Sequence, residues 1–205
     1  MAGAIWVVAE TTSDGSLARI SAEVATLARE LGRLSGRDVA GVVVAADPSP
    51  AAAALAAYLP RVIAVTEPAA GGHVMASIVA QRVAALAERE SASWLLLGAG
   101  PDGRDEAGVL SVLLGWGVLA NAVAVSHGAD GPTVEMSIFG GKLLTTSAFN
   151  TERGIVTVRP KVVEAEPAPE PGTLEPATVD RELELPLVSV LERVAETGAD
   201  RKSVV

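Results

Sequence analysis

Three glycines, Gly98, Gly100 and Gly103, stand at the spacing G-x-G-x-x-G in the stretch WLLLGAGPDGRD, residues 94–105. An apolar run precedes them and a helical pattern follows. Such a loop can cradle a pyrophosphate, because glycine lets the backbone approach the phosphates and the helix start offers free N–H groups. That chemistry needs more than glycine. The loop should follow the first strand of its βαβ unit, and an acid should close the next strand to hold the ribose hydroxyls. Here the loop follows the fourth strand-like run. The next run ends at Ser126 and His127, and the nearest acid is Asp130, in a later turn. Pro101 also removes an N–H where donors are wanted. The spacing is therefore read as a tight strand-to-helix turn, with Asp102 capping the helix.

The other reactive side chains gather no better. The turn Ser13-Asp14-Gly15-Ser16 lacks the SGGxDS-like run of an ATP-pyrophosphatase loop and reads as a turn into a helix cap at Ser16. His73 and His127 are the two histidines, and neither has an acid at ligand spacing. Ser111, Ser126 and Ser147 lack a nucleophile-elbow context. Glu88 and Glu90 lie on a polar helix end, and Glu164, Glu166, Glu170 and Glu175 form a solvated run. The expectation is no catalytic, cofactor-binding or metal-binding residues.

Composition narrows the classes. The chain has 205 residues, which suits one large α/β domain with an extension. Apolar residues make up 49%, with only three tryptophans, two phenylalanines and one tyrosine, so the core must be aliphatic. The net charge of -9 opposes a nucleic-acid partner. Lysine occurs only at Lys142, Lys161 and Lys202. Cysteine is absent, which removes thiolate chemistry and disulfides and fits a cytoplasmic location. Met1 to Glu10 lacks the features of a signal peptide, and no apolar run is long enough for a membrane span.

The elements that must position these residues alternate. Ile5 to Ala9, Val39 to Ala45, Arg61 to Thr66, Trp94 to Leu97 and Ala120 to Ser126 read as strands. Between them, Leu17, Ile20, Val24, Leu27, Leu31 and Leu34 mark one helix face, with Arg19, Glu23, Arg29 and Glu30 mostly off it and Gly36 as its stop. Residues 47–59, 73–90 and 105–116 supply further helices. The expected fold is α/β: a doubly wound, mainly parallel Rossmann-like sheet with helices on both faces. Residues 133–139 and 142–148 flank Gly140-Gly141 and add an antiparallel hairpin with a two-residue turn. Ile155 to Val158 is one more strand. The proline- and glutamate-rich residues 164–180 read as a solvated linker with no core element. Residues 181–205 follow as a strand-like arm, whose Leu183, Leu185 and Leu187 supply an apolar face for a partner or for the chain's own sheet. Residues 1–163 thus form the domain proper.

Several stretches resemble, in order, the N-terminal domain of electron transfer flavoprotein α subunits. IWVVAETTSDGSLAR resembles the family's start. Leu95 to Val125 resembles its middle, with Gly103-Arg104-Asp105 in the place of its GRD element. SIFGGKLLTTSAF (Ser137 to Phe149) is similar to its hairpin, and IVTVRPK (Ile155 to Lys161) to its V.TVRP segment. The chain departs from the pattern at Met136 or Ser137, where an arginine is frequent, and at Asn121, where an aspartate is.

The resemblance implies an electron carrier rather than an enzyme. In that family FAD sits in a second domain with an SGGRG-like segment, which would begin near Arg201 to Val205, so no FAD is expected on this chain alone. It implies a β subunit as partner, itself carrying AMP, and electron flow from acyl-CoA and other dehydrogenases to a quinone oxidoreductase. The alternative, on the same fold, is a stand-alone adenine-nucleotide-binding enzyme or sensor, with its ligand at the strand ends near Glu10 and Gly98 to Gly103.

Overall fold

The computed structural model describes residues 3–128 and 131–192. The chain runs β1 (Ala4–Val8), α1 (Arg19–Ser35), β2 (Val39–Ala45), α2 (Ser49–Leu55), β3 (Arg61–Thr66), α3 (Met75–Arg89), β4 (Ala92–Gly98), α4 (Pro101–Leu114) and β5 (Val118–Gly128). Then come β6 (Gly131–Ile138), β7 (Leu143–Ala148), β8 (Gly154–Val158) and β9 (Thr173–Ala177). All nine strands join one sheet in the order β7-β6-β5-β8-β4-β1-β2-β3-β9. Every pairing is parallel except β5 with β6 and β6 with β7. This is the doubly wound, mainly parallel α/β fold with an added antiparallel hairpin.

Strand side chains alternate between two cores. Ile5 and Val7 of β1, Val43, Trp94 and Leu96 pack on one face under α1 and α2. Trp6 and Val8, Val42, Val44, Leu95 and Leu97 pack on the other under α3 and α4. Burial on both faces explains why β1, β2 and β4 read as continuous apolar runs. Gly41 lets α2 close on β2: a Cβ there would lie 2.5 Å from Leu55 Cδ2.

The hairpin is not a flat extension. Asn121 adopts a left-handed conformation (φ 62°) and its N–H donates to Thr157 Oγ1 at 2.9 Å. The β5–β8 register shifts there, between Leu119 and Ala122. Ala122 still pairs with Val158 at the carboxyl end of β8. Yet His127, five residues on, lies 5.8 Å from Trp94, whose β8 partner is Gly154 at the opposite end. The second half of β5 therefore doubles back over the face that α1 covers. The hairpin turn is a 3-10 turn at Phe139–Gly141, longer than the two-residue form expected from the sequence.

Several expectations need correction. Residues 173–177, inside the supposed linker, form β9 and pair in parallel with Arg61 to Val65. Pro176 is tolerated because β9 is an edge strand, where an N–H facing solvent is dispensable. The upstream stretch is also held: the Arg29 guanidinium donates to the Glu166 carbonyl at 2.9 Å and to the Tyr58 carbonyl at 2.9 Å. Residues 181–192 of the arm form no strand, only an isolated antiparallel bridge of Ser189 with His73. Leu183 and Leu187 instead pack against the α3/α4 core, and Val190 N–H donates to the Gly72 carbonyl at 2.9 Å. The rest of the expected arm, residues 193–205, lies outside the described residues. Ala18, not Ser16, is the N-cap of α1, while Gly36 ends it in the left-handed conformation as expected (φ 66°).

Candidate functional site

β1 leads to β2 and β3 on one side, whereas β4 lies on its other side. The carboxyl ends of β1 and β4 therefore form the topological switch point, where open α/β sheets place their ligands. Glu10 leaves β1 there, and Gly98 to Gly103 leave β4.

Glu10 is fixed by its backbone. Its N–H donates to Ser21 Oγ at 2.8 Å, and its carbonyl accepts from Ala18 N–H at 3.0 Å and from the Ser21 hydroxyl at 3.2 Å. The side chain then reaches across to the glycines. A Cβ at Gly98 would lie 2.5 Å from Glu10 Oε1 and 2.6 Å from Ile20 Cγ1; one at Gly100, 3.0 Å from Oε2; one at Gly103, 2.7 Å from Oε1. A Cβ at Gly103 would also collide with the Gly98 carbonyl. All three glycines of the motif thus face one carboxylate of the chain itself, and Gly98 and Gly103 are also closed to a side chain by helix–strand packing. α4 starts with Gly100 as N-cap and Pro101 at its first position. Asp102 lies in the first turn and makes no side-chain cap, contrary to expectation. The helix also begins four residues earlier than the sequence pattern placed it.

A second acid completes the crevice. Glu106 is 2% exposed, on the α4 stripe of Gly103, Glu106, Ala107 and Leu110. Glu10 Oε1 and Glu106 Oε2 are buried without a hydrogen-bond partner among the described residues. Burial, then the charge of Asp102, pushes the Glu10 carboxyl up to about 6. Burial, then Glu10, Asp102 and Asp105, pushes Glu106 well above the carboxylate range. Sequence reading passed over Glu106. Its signal was its position three residues after Gly103 and four before Leu110, on an otherwise apolar face.

Beside the crevice opens a cleft of about 970 Å³ at the carboxyl ends of β4 and β8 and the Asn121 bend of β5, lined by Gly100, Arg104, Asn121, Ser137, Gly140 and Arg159. Arg104 Nε–H donates to the Ala99 carbonyl at 2.7 Å. Neither arginine forms an ion pair among the described residues. Glu23, expected mostly off the apolar face, is 2% exposed. It receives Arg19 Nε–H at 3.0 Å and Lys161 N–H at 2.8 Å, tying the segment after β8 to α1.

The remaining candidates stand apart. His73 Nδ1–H donates to the Ala69 carbonyl at 2.8 Å, while His127 lies against Trp94. Arg37 also lies over Trp94, 4.3 Å from its ring centre. The Ser111 hydroxyl donates to the Trp116 carbonyl, and Ser126 and Ser147 lie in β5 and β7. Asp14 accepts from Thr12 Oγ1 and Ser16 N–H within its turn. Glu90 and Glu175 both pair with Arg61, and Glu88 is exposed at the end of α3. Among the described residues no three histidine, aspartate or glutamate side chains cluster as a metal site, and no helix is long and apolar enough to cross a membrane.

The family model described as electron transfer flavoprotein domain matches residues 5–183. The chain is similar to the electron transfer flavoprotein subunit alpha of Mycobacterium leprae, 35% identical over 170 residues, covering 82% of this chain and 50% of the relative. It is similar also to that subunit of Mycobacterium tuberculosis strain H37Rv, 34% identical over 158 residues, covering 76% and 47% respectively. The chain spans about half the length of these curated relatives.

Proposed function

The chain belongs to the electron transfer flavoprotein family, and from that premise we propose that it is the scaffold half of an α subunit. In this reading it pairs with a β subunit and supports the domain that carries FAD. Electrons then pass over the complete complex, from acyl-CoA and other dehydrogenases to a quinone oxidoreductase. The chain works in the cytoplasm and has no catalytic, flavin-binding or metal-binding residue of its own. Residues 1–163, with β9 added at the edge of their sheet, are its body, and 181–205 the lead toward the flavin domain.

One observation carries the reading. The place where this fold would hold a dinucleotide pyrophosphate is filled by the Glu10 carboxylate, against all three glycines of the loop. These residues do not fit a flavin's phosphates, since a second anion would meet Glu10 there. Partner binding has its own support: the hairpin leaves Phe139, Leu143 and Leu144 exposed, with Phe139 at 75%.

The test is co-expression with the β subunit. A colourless chain that co-purifies with β, and loses it in Leu144→Glu, is expected. Stoichiometric FAD on this chain alone overturns the reading. The second reading, an adenine-nucleotide enzyme or sensor, has the Arg104–Arg159 cleft in its favour. Titration of the chain with AMP, ATP and NAD distinguishes them, micromolar binding favouring the second.

A further inference from the structure

The switch-point crevice leaves an electrostatic problem. Two carboxyl groups meet at it, each with a buried oxygen that no donor satisfies. Neither forms an ion pair with any basic side chain among the described residues. The charged groups around them are mostly acidic. Asp102 and Asp105 on α4 add negative charge. Arg104, also on α4, turns its Nε–H to the Ala99 carbonyl. Glu23 on α1 is engaged with Arg19 and Lys161 N–H. Arg159, after β8, lines the neighbouring cleft with Arg104. Glu10 Oε1 lies against Gly103, and Glu106 stands three residues further along the same α4 stripe; two neighbouring carboxylates with buried oxygens cannot both stay charged cheaply, and one proton between them removes the repulsion and supplies the missing donor.

The two positions are unequal. Glu10 is only partly buried and lies against Gly100 and Gly103 in the opening turn of α4, where the helix dipole favours a negative charge. Glu106 is 2% exposed on the apolar stripe of that helix. We propose that Glu10 and Glu106 form a proton-sharing acid pair: Glu106 is a carboxylic acid that donates to the Glu10 carboxylate, and the pair closes the crevice in place of a ligand phosphate. Two orphaned oxygens then account for each other. The G-x-G-x-x-G spacing becomes a binding site for the chain's own acid.

Infrared difference spectroscopy of the whole chain tests this. At pH about 7.5, well above the ordinary carboxyl range, the wild type should show a deuterium-sensitive C=O stretch of a protonated carboxyl. Glu106→Gln, neutral and of nearly the same shape, should lack it. In Glu10→Gln the band should remain but titrate at lower pH, because a neighbouring charge is gone. Wild type without the band, a band that persists in Glu106→Gln, or an unmoved midpoint in Glu10→Gln overturns the proposal. Should Glu106→Gln fail to fold, the wild-type and Glu10→Gln spectra decide it.

Discussion

Arg82 on α3 and Glu67 after β3 form a buried ion pair, with Arg82 Nη2 and Nε each 2.6 Å from Glu67 Oε2. Glu67 Oε1 accepts from Ala69 N–H at 3.1 Å, which starts the 3-10 turn Pro68–Gly71. Arg82 Nη1–H also donates to the Arg181 carbonyl. One side chain thus joins the end of β3, helix α3 and the arm. Gln81 beside it accepts from the N–H groups of Glu184 and Leu185 at 2.6 and 2.9 Å.

Removing one partner of such a pair strands the other charge in the interior. Arg82→Met is expected to cost about 3–5 kcal/mol, read by urea unfolding. Combining it with Glu67→Gln should recover part of that loss. In the single variant the amides of Glu184, Leu185 and Val190 should exchange faster. A loss under about 1 kcal/mol, the range of surface pairs, would show that the pair is not buried as described.

The glycines of α4 divide sharply. At Gly103 a Cβ meets the backbone carbonyl of Gly98, which cannot yield easily, as well as the Glu10 carboxylate. Gly103→Ala is expected to cost about 1–3 kcal/mol, as overpacking does. Gly108, on the exposed side of the same helix, has nothing within 4 Å of a new Cβ. Gly108→Ala should gain about 0.5–1 kcal/mol from helix propensity. Thermal unfolding of the two variants checks the contrast, and equal effects would refute the cradle geometry.

The alternating elements were legible because their signal is local: both-face burial makes β1, β2 and β4 uniformly apolar, and Gly36 stops α1 by its own backbone freedom. What escaped depends on contacts between distant segments. Residues 173–177 carry little strand propensity and become β9 only because β3 offers a free edge. Leu183 and Leu187 alternate like a strand but are captured singly by the α3/α4 core. Glu106 looks like an ordinary helix acid until the fold brings Glu10 beside it. The loop's departures from a dinucleotide fingerprint, Pro101 and the missing ribose acid, were readable. That a carboxylate fills its place was not, since Glu10 lies 88 positions before Gly98.

The raised Glu10 acid makes a signed prediction. Its folded value of about 6 exceeds the ordinary 4.5, so the folded state holds the proton more tightly. Its contribution to stability is complete below pH 4.5, falls as pH rises from 4.5 to about 6, and is gone by pH 7. The full shift corresponds to about 2 kcal/mol, and partial solvation of the carboxyl brings this to about 1 kcal/mol. Glu10→Gln should therefore match the wild type near pH 4 and exceed it by about 1 kcal/mol at pH 7. Urea unfolding across that range measures it, and a constant difference at all pH values would contradict it.

Arg61 is the clamp on β9. Its guanidinium reaches Glu90 at 2.8 Å and Glu175 at 2.7 Å, and its hydrogen bond to Glu175 holds that carboxyl below the usual range. Both pairs are partly open to solvent, so each is worth about 1 kcal/mol at most. The edge strand they hold is short, carries Pro176 and leaves Leu174 exposed. A small loss therefore matters locally. Arg61→Ala should lower global stability by about 1 kcal/mol, yet raise amide exchange in β9 well before exchange in β1 or β4 changes. High salt should move the wild type in the same direction by screening the pairs. If β9 kept its protection in Arg61→Ala, backbone pairing with β3 alone would be holding it, and the clamp would be dispensable.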